Sequence, residues 1–182
     1  MYPDRLDDPH WIQTYSGRRF WVLAPHADDV DIRDIAHHLS LICRFTGACK
    51  YHYSVAQHSL LVSELVPDDC RLWALLHDAA EAYLSDVARP VKYLLGINLI
   101  EGPILHAVAE KFGLDWPMPD EVHYADQIAL ATERRDLMKL CSWEWSQTKR
   151  VIPDVARIVR MGMTEAEGLF LKRYRELTEK GS

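Results

Sequence analysis

The stretch that most restricts this chain is CRLWALLHDAAEAYL, residues 70–84, which is apolar on nearly every helical side and yet carries His77, Asp78 and Glu81. A helix that is apolar all round has to be enclosed by other elements. The segment is therefore predicted to lie at the centre of the fold, with Asp68 or Asp69 capping its start. Whatever encloses it must also satisfy its polar groups, because an unpaired buried charge or imidazole costs on the order of several kcal/mol. With 182 residues, 48% of them hydrophobic, the chain can supply that enclosure as one domain without disulfide staples.

The enclosing elements are mostly helical in pattern. Residues 14–25, TYSGRRFWVLAP, give the one strand signal, a short hairpin before the helices begin. Asp31 is placed to cap a helix with Ile32, Ile35, Ala36, Leu39, Ile42 and Cys43 on one face and Gly47 as its stop. Ser54 and Gln57 have the spacing of a capping box for a helix starting at Val55 and carrying His58 inward. SDVARPVK reads as a loop leaving the central helix, residues 98–112 as a helix stopped by Gly113, and residues 120–140 as a long helix with Asp126 on or beside its apolar stripe. Thr164 and Glu167 have capping-box spacing for a final helix to Lys180. The expected fold is a mostly α single-domain bundle with an N-terminal hairpin, a core over 14–140 and a helical extension over 141–182.

Three of these helices carry groups that belong together chemically: His58, the adjacent pair His77 and Asp78, and Asp126. One divalent cation with two nitrogen and two carboxylate ligands removes the cost of burying all four. Mixed N/O ligation suits Mn, Co, Fe, Ni or Zn better than Ca or Mg. Taken singly, each residue would pass for a cap or a core hydrogen-bonding group. His37, His38, His52 and His123 fall outside the pattern and are assigned helix-face or hydrogen-bonding roles. Trp143 and Trp145 are assigned to packing or a subunit contact rather than to base stacking.

The order H…HD…D, carried by VAQHSLLVSELV, WALLHDAAEAYLSDVARPVK and HYADQIALATE, resembles the HD-domain metal-dependent phosphohydrolases. Among them it is most similar to bacterial 5′-deoxynucleotidases and to small phage-type deoxynucleoside triphosphohydrolases acting on substrates such as dATP. The resemblance covers roughly residues 14–139 and implies an HD-type bundle. It also implies a metal site of His58, His77, Asp78 and Asp126, with Glu81 as the general acid or base. Asp86 would lie near the sugar and disfavour a 2′-hydroxyl, Lys92 with Pro90 in the PVK element would meet the phosphate, and Arg44 and Phe45 match an Arg-aromatic pair that is Arg-Trp in the 5′-deoxynucleotidases. In GRRFW, alternate strand residues face opposite ways, so one of Arg18 and Arg19 is solvated; Arg19 is assigned to substrate.

The expected reaction is hydrolysis of the 5′ phosphate ester of a 2′-deoxynucleotide, giving deoxynucleoside and phosphate. The same attack on a dNTP would release triphosphate. Alarmone hydrolysis ranks low because Ala82 stands where those enzymes have HDxxED, and no GYP element follows the HD pair. A metal-stabilised nucleotide-binding module without turnover is the alternative from another class. A net charge of −6, from 21 basic and 27 acidic residues, argues against a nucleic-acid polymer or an anionic membrane as partner. The expected partner is a small deoxynucleotide, with a homodimer or higher homo-oligomer as the assembly. Four cysteines without a CxxC pair and no apolar leader or span point to a cytoplasmic chain with reduced thiols.

Overall fold

A computed structural model describes residues 9–143 and 145–179. The described residues are mostly helical, with a two-stranded antiparallel hairpin near the N-terminus. Its strands β1 (Ile12–Gln13) and β2 (Arg19–Phe20) are shorter than the sequence suggests. The turn between them closes with Gly17 N–H donating to the Thr14 carbonyl at 2.9 Å, and Gly17 adopts a positive φ of 81° that suits glycine. Phe20 is fully buried and stacks on Tyr83 with ring centroids 3.6 Å apart, which fastens the hairpin to the bundle.

Helix α1 (Ile32–Leu41) starts where Asp31 predicts, the Asp31 carboxylate accepting from Arg33 N–H. It ends earlier than Gly47: Ile42 is already extended, and the following turn over Arg44–Gly47 holds Phe45 and Thr46 in left-handed backbone at φ 58° and 53°. Helix α2 (Val55–Glu64) is capped by the Ser54 hydroxyl, which accepts from Gln57 N–H. The central segment is not one α-helix. It divides into α3 (Arg71–Leu76) and α4 (Glu81–Leu84), joined by a tighter turn in which Ala79, Glu81, Ala82 and Tyr83 donate to carbonyls three residues back. The predicted loop after it is confined to residues 85–88, because Pro90 opens the short helix α5 (Arg89–Leu94), a position where its missing N–H costs nothing.

Helix α6 (Asn98–Phe112) ends at Gly113 in left-handed conformation, as predicted, and α7 (Asp120–Leu137) follows. Between α7 and α8 (Met163–Glu179) the described residues run as a strap that includes a tight turn at Ser146–Thr148. Helix α8 begins one residue before Thr164. Glu165, not Glu167, reaches back to the backbone N–H of Gly162, while Glu167 pairs with His37 at 3.2 Å.

Helix α3 is central because it serves two cores at once. Leu75 and Leu76 join Ile35, Leu39, Ile104 and Phe170 in one cluster, whereas Trp73 and Ala74 join Val62, Val122 and Ala129 in the other. Full burial of a side chain such as Leu75 contributes roughly 1.5–3 kcal/mol. Helix α8 completes the first core by packing on α1, α2 and α3. Among the described residues no helix is long and apolar enough to cross a membrane.

Candidate metal centre

The cap at Ser54 sets the register of α2 so that His58, one turn on, is fully buried against α3 and α7. The tight turn after α3 brings His77 and Asp78 to the same point, and α7 brings Asp126. His58 Nε2 lies 3.2 Å from His77 Nε2, 3.1 Å from Asp126 Oδ1 and 3.4 Å from Asp78 Oδ2. His77 Nε2 is 3.3 Å from Asp78 Oδ2. Bonds of ~2.0–2.2 Å to a cation put neighbouring ligand atoms about 2.8–3.6 Å apart at angles between octahedral and tetrahedral. The spacing therefore fits one ion.

The far sides of both imidazoles decide the chemistry. His58 Nδ1 meets Glu133 Oε1 at 2.6 Å and His77 Nδ1 meets the Ala74 carbonyl at 2.7 Å. Both acceptors demand a proton on Nδ1, which leaves both Nε2 lone pairs facing each other and two carboxylates. Such an arrangement calls for positive charge between them, and His58, His77 and Asp126 form a group that could hold a metal ion. In the metal-free protein that charge is a proton. Burial and the Arg44 guanidinium work against a charged His58, but Glu133 and Asp126 outweigh them and push it up to about 10. Burial likewise opposes ionisation of Asp126, yet His58 and His77 hold it down at about 2. Asp78 is held well below the usual carboxylate range, against its burial, by His77, His58 and Arg44.

A cavity of about 600 Å³ opens beside the cluster, and Asp78 and Asp126 lie in its wall together with Glu81, Arg44, Phe45, Asp86, Pro90 and Lys92. Three residues per turn in the tight segment align side chains three apart, so Asp78 and Glu81 face the same space. Burial first, then Asp78 and Asp86, push Glu81 well above the usual carboxylate range. Its Oε2 is buried without a partner. Lys92 Nζ lies 3.5 Å from Glu81 Oε1 and 2.5 Å from Glu101 Oε1.

Arg44 is buried between Asp78, at 3.2 Å, and Glu133, at 3.3 Å. The Asp86 carboxylate accepts from Phe45 N–H at 2.9 Å, and so fixes a backbone that costs roughly 1–2 kcal/mol for a residue with a Cβ. Asp86 thus has a structural task besides any contact with a sugar. Arg19 stands apart: it is exposed on the hairpin, over the Trp11 ring at 4.8 Å, and does not line the cavity. His38 is taken up between the Ala82 carbonyl and Tyr15 N–H.

Sequence reasoning missed two residues. Glu133 is fully buried and ties His58 to Arg44; it stands seven residues after Asp126, two turns along one helix face, and that spacing could have disclosed it. Trp145, assigned to packing or a subunit contact, lines the cavity with Ser146 and Gln147. No periodicity in the strap foretells that.

Fold and site together define a helical protein with two buried histidines and two half-buried aspartates clustered at the edge of a cavity. The chain is 40% identical over 171 residues to the uncharacterized protein YfdR of Escherichia coli (strain K12), covering 93% of this chain and 96% of that protein, and it belongs to the same family. It is also 40% identical over 130 residues to the uncharacterized protein RCAP_rcc00048 of Rhodobacter capsulatus, covering 65% of this chain and 66% of the other. No family model matches the chain.

Proposed function

We propose that this protein is an HD-type metal-dependent phosphohydrolase that cleaves the 5′ phosphate ester of 2′-deoxynucleotides. The observation that carries the reading is the convergence of two imidazole Nε2 atoms and two carboxylates within 3.1–3.4 Å, next to a cavity also lined by Glu81, Arg44 and Lys92. His58, His77, Asp78 and Asp126 would hold one divalent cation of the Mn, Co, Fe, Ni or Zn type. Such an ion supplies Lewis acidity toward a phosphoryl oxygen and toward water.

The chain's own groups account for the rest. Arg44 and Lys92 offset charge on the phosphoryl oxygens, in a protein whose net charge is otherwise negative. Burial and its acidic neighbours favour the protonated form of Glu81, which gives its proton to the departing 5′ oxygen as the bond from that oxygen to phosphorus breaks and a water oxygen bonds in its place; the proton that the water releases then restores the carboxyl group. The remaining oxygen of Asp86 is available to the sugar 3′-hydroxyl, where a ribose 2′-hydroxyl would crowd it. A dNTP triphosphohydrolase uses the same step, and Arg89 in the cavity wall is where further phosphates would find charge.

The test is to load the protein with each cation and offer ribo- and deoxynucleotides at every phosphorylation level. Orthophosphate from dNMPs is the expected product, with ribonucleotides slower by ~10-fold or more. Triphosphate from dNTPs would establish the second reading. Absence of turnover on the whole panel, with a cation bound, would leave a binding module.

A further inference from the structure

The acids and cations account for only part of the cavity. Phe45, Leu130, Met138 and Trp145 also line it, all four only partly buried, and the hydrolytic step uses none of them. The Phe45 and Trp145 rings lie 5.6 Å apart and tilted by 50°, so neither covers the face of the other. Each ring is held in place from behind. Asp86 fixes the left-handed backbone at Phe45. Arg134 of α7 holds the strap around Trp145, donating to the Trp143 carbonyl at 2.9 Å and to Thr148 Oγ1 at 3.2 Å. Gln147, two residues beyond Trp145, adds a carboxamide to the same cavity.

Contacts lead directly from the metal cluster to these rings. Arg44 bonds Asp78, and its guanidinium carbon lies 5.2 Å from the centre of the Phe45 ring. A ligand whose phosphate sits at the cluster against Arg44 and Lys92 therefore has an aromatic and aliphatic wall within reach of its other end. An amphipathic molecule with an anionic head and a flat aromatic tail satisfies both parts. A sugar phosphate satisfies one.

We propose that Phe45, Leu130, Met138 and Trp145 seat the base of a nucleoside 5′-phosphate, with the Gln147 carboxamide meeting the polar edge of the base. The inference rests on the nucleotide reading above and adds that the strap after α7 makes the enzyme select for a base at all. Stacking on an aromatic side chain tolerates every base, and a carboxamide can pair with either a donor-first or an acceptor-first edge. The selection is accordingly for base against no base, and weak among the bases.

The experiment compares dAMP and dCMP with 2-deoxyribose 5-phosphate, using wild type, Trp145→Ala, Trp145→Phe and Gln147→Ala, each checked for cation content and melting temperature. Wild type should have a kcat/KM at least ~10-fold higher for the two nucleotides than for the base-less ester. Trp145→Ala should lower the nucleotide values by ~10-fold, within the range of single stacking contacts, and leave the base-less ester unchanged; Trp145→Phe should restore most of the loss. If Trp145→Ala does not fold, Gln147→Ala carries the test through a several-fold loss confined to nucleotides. Equal rates on all three esters in wild type, or equal losses on all three in the variants, would overturn the seat while leaving the phosphohydrolase intact. If nothing is hydrolysed, calorimetric titration of dAMP decides: binding weakened by Trp145→Ala keeps the seat, and binding unaffected by it removes it.

Discussion

At the scale of single residues, Glu133 and Glu81 are two buried carboxyl groups whose surroundings push them in opposite directions. Arg44 and His58 hold Glu133 below the usual carboxylate range in spite of its burial, whereas burial and two neighbouring acids push Glu81 above it. Their substitutions should separate accordingly. Glu133→Gln keeps a hydrogen-bond acceptor for His58 but removes the charge that sets its tautomer, and cation affinity should fall by ~10–100-fold in competition with a chelator. Glu81→Gln should retain the cation and lose turnover by ~10²-fold or more; loss of the cation in that variant would make Glu81 a ligand instead. The sequence made Glu81 legible through its HDxxE spacing. Glu133 stayed hidden because a lone Glu in TERRDL looks like one more charge on a solvated face.

At the scale of elements, boundaries governed by local chemistry were legible and those governed by packing were not. Asp31 and Ser54 cap α1 and α2 with their own side chains, so a few residues decide the start. The division of the central helix was not legible, since the same apolar pattern accommodates 3.6 or 3.0 residues per turn. The strap was invisible too, for it is held by side chains of α7 rather than by its own periodicity. Asp136 is its main anchor, accepting from Arg135 at 2.7 Å, from Arg157 at 2.5 Å and from Ile158 N–H at 3.0 Å. Arg135 and the other donors hold the Asp136 carboxyl below its usual value. A depressed carboxylate contributes stability above its unfolded pKa, about 3.9, and that contribution is lost as pH falls through the lower folded value. Asp136→Asn should therefore cost about 1–2 kcal/mol at neutral pH and flatten the decline in melting temperature below pH ~4, as read by calorimetry.

At the scale of the whole molecule, the cluster ties α2, the turn after α3 and α7 to one point, so its charge state is a property of the entire bundle. In the metal-free protein His58 is raised to about 10. A raised imidazole contributes stability that is full below its unfolded pKa, about 6.5, and is lost as pH rises toward 10. A bound cation replaces that proton and removes the dependence. Melting temperatures with and without chelator should thus diverge progressively from pH ~7 to ~10, with the loaded form favoured by about 2.7 kcal/mol when the cation is at a hundred times its Kd; parallel curves would place the titrating group elsewhere. Helix α8 raises a different matter, one of timing. It closes the core on α1 from more than a hundred residues further along the chain. At synthesis rates of ~5–20 residues per second, the apolar face of α1 waits on the order of ten seconds for its cover. During that interval the nascent chain offers a surface on which chaperones and proteases compete, and any truncated product lacking α8 would present it permanently.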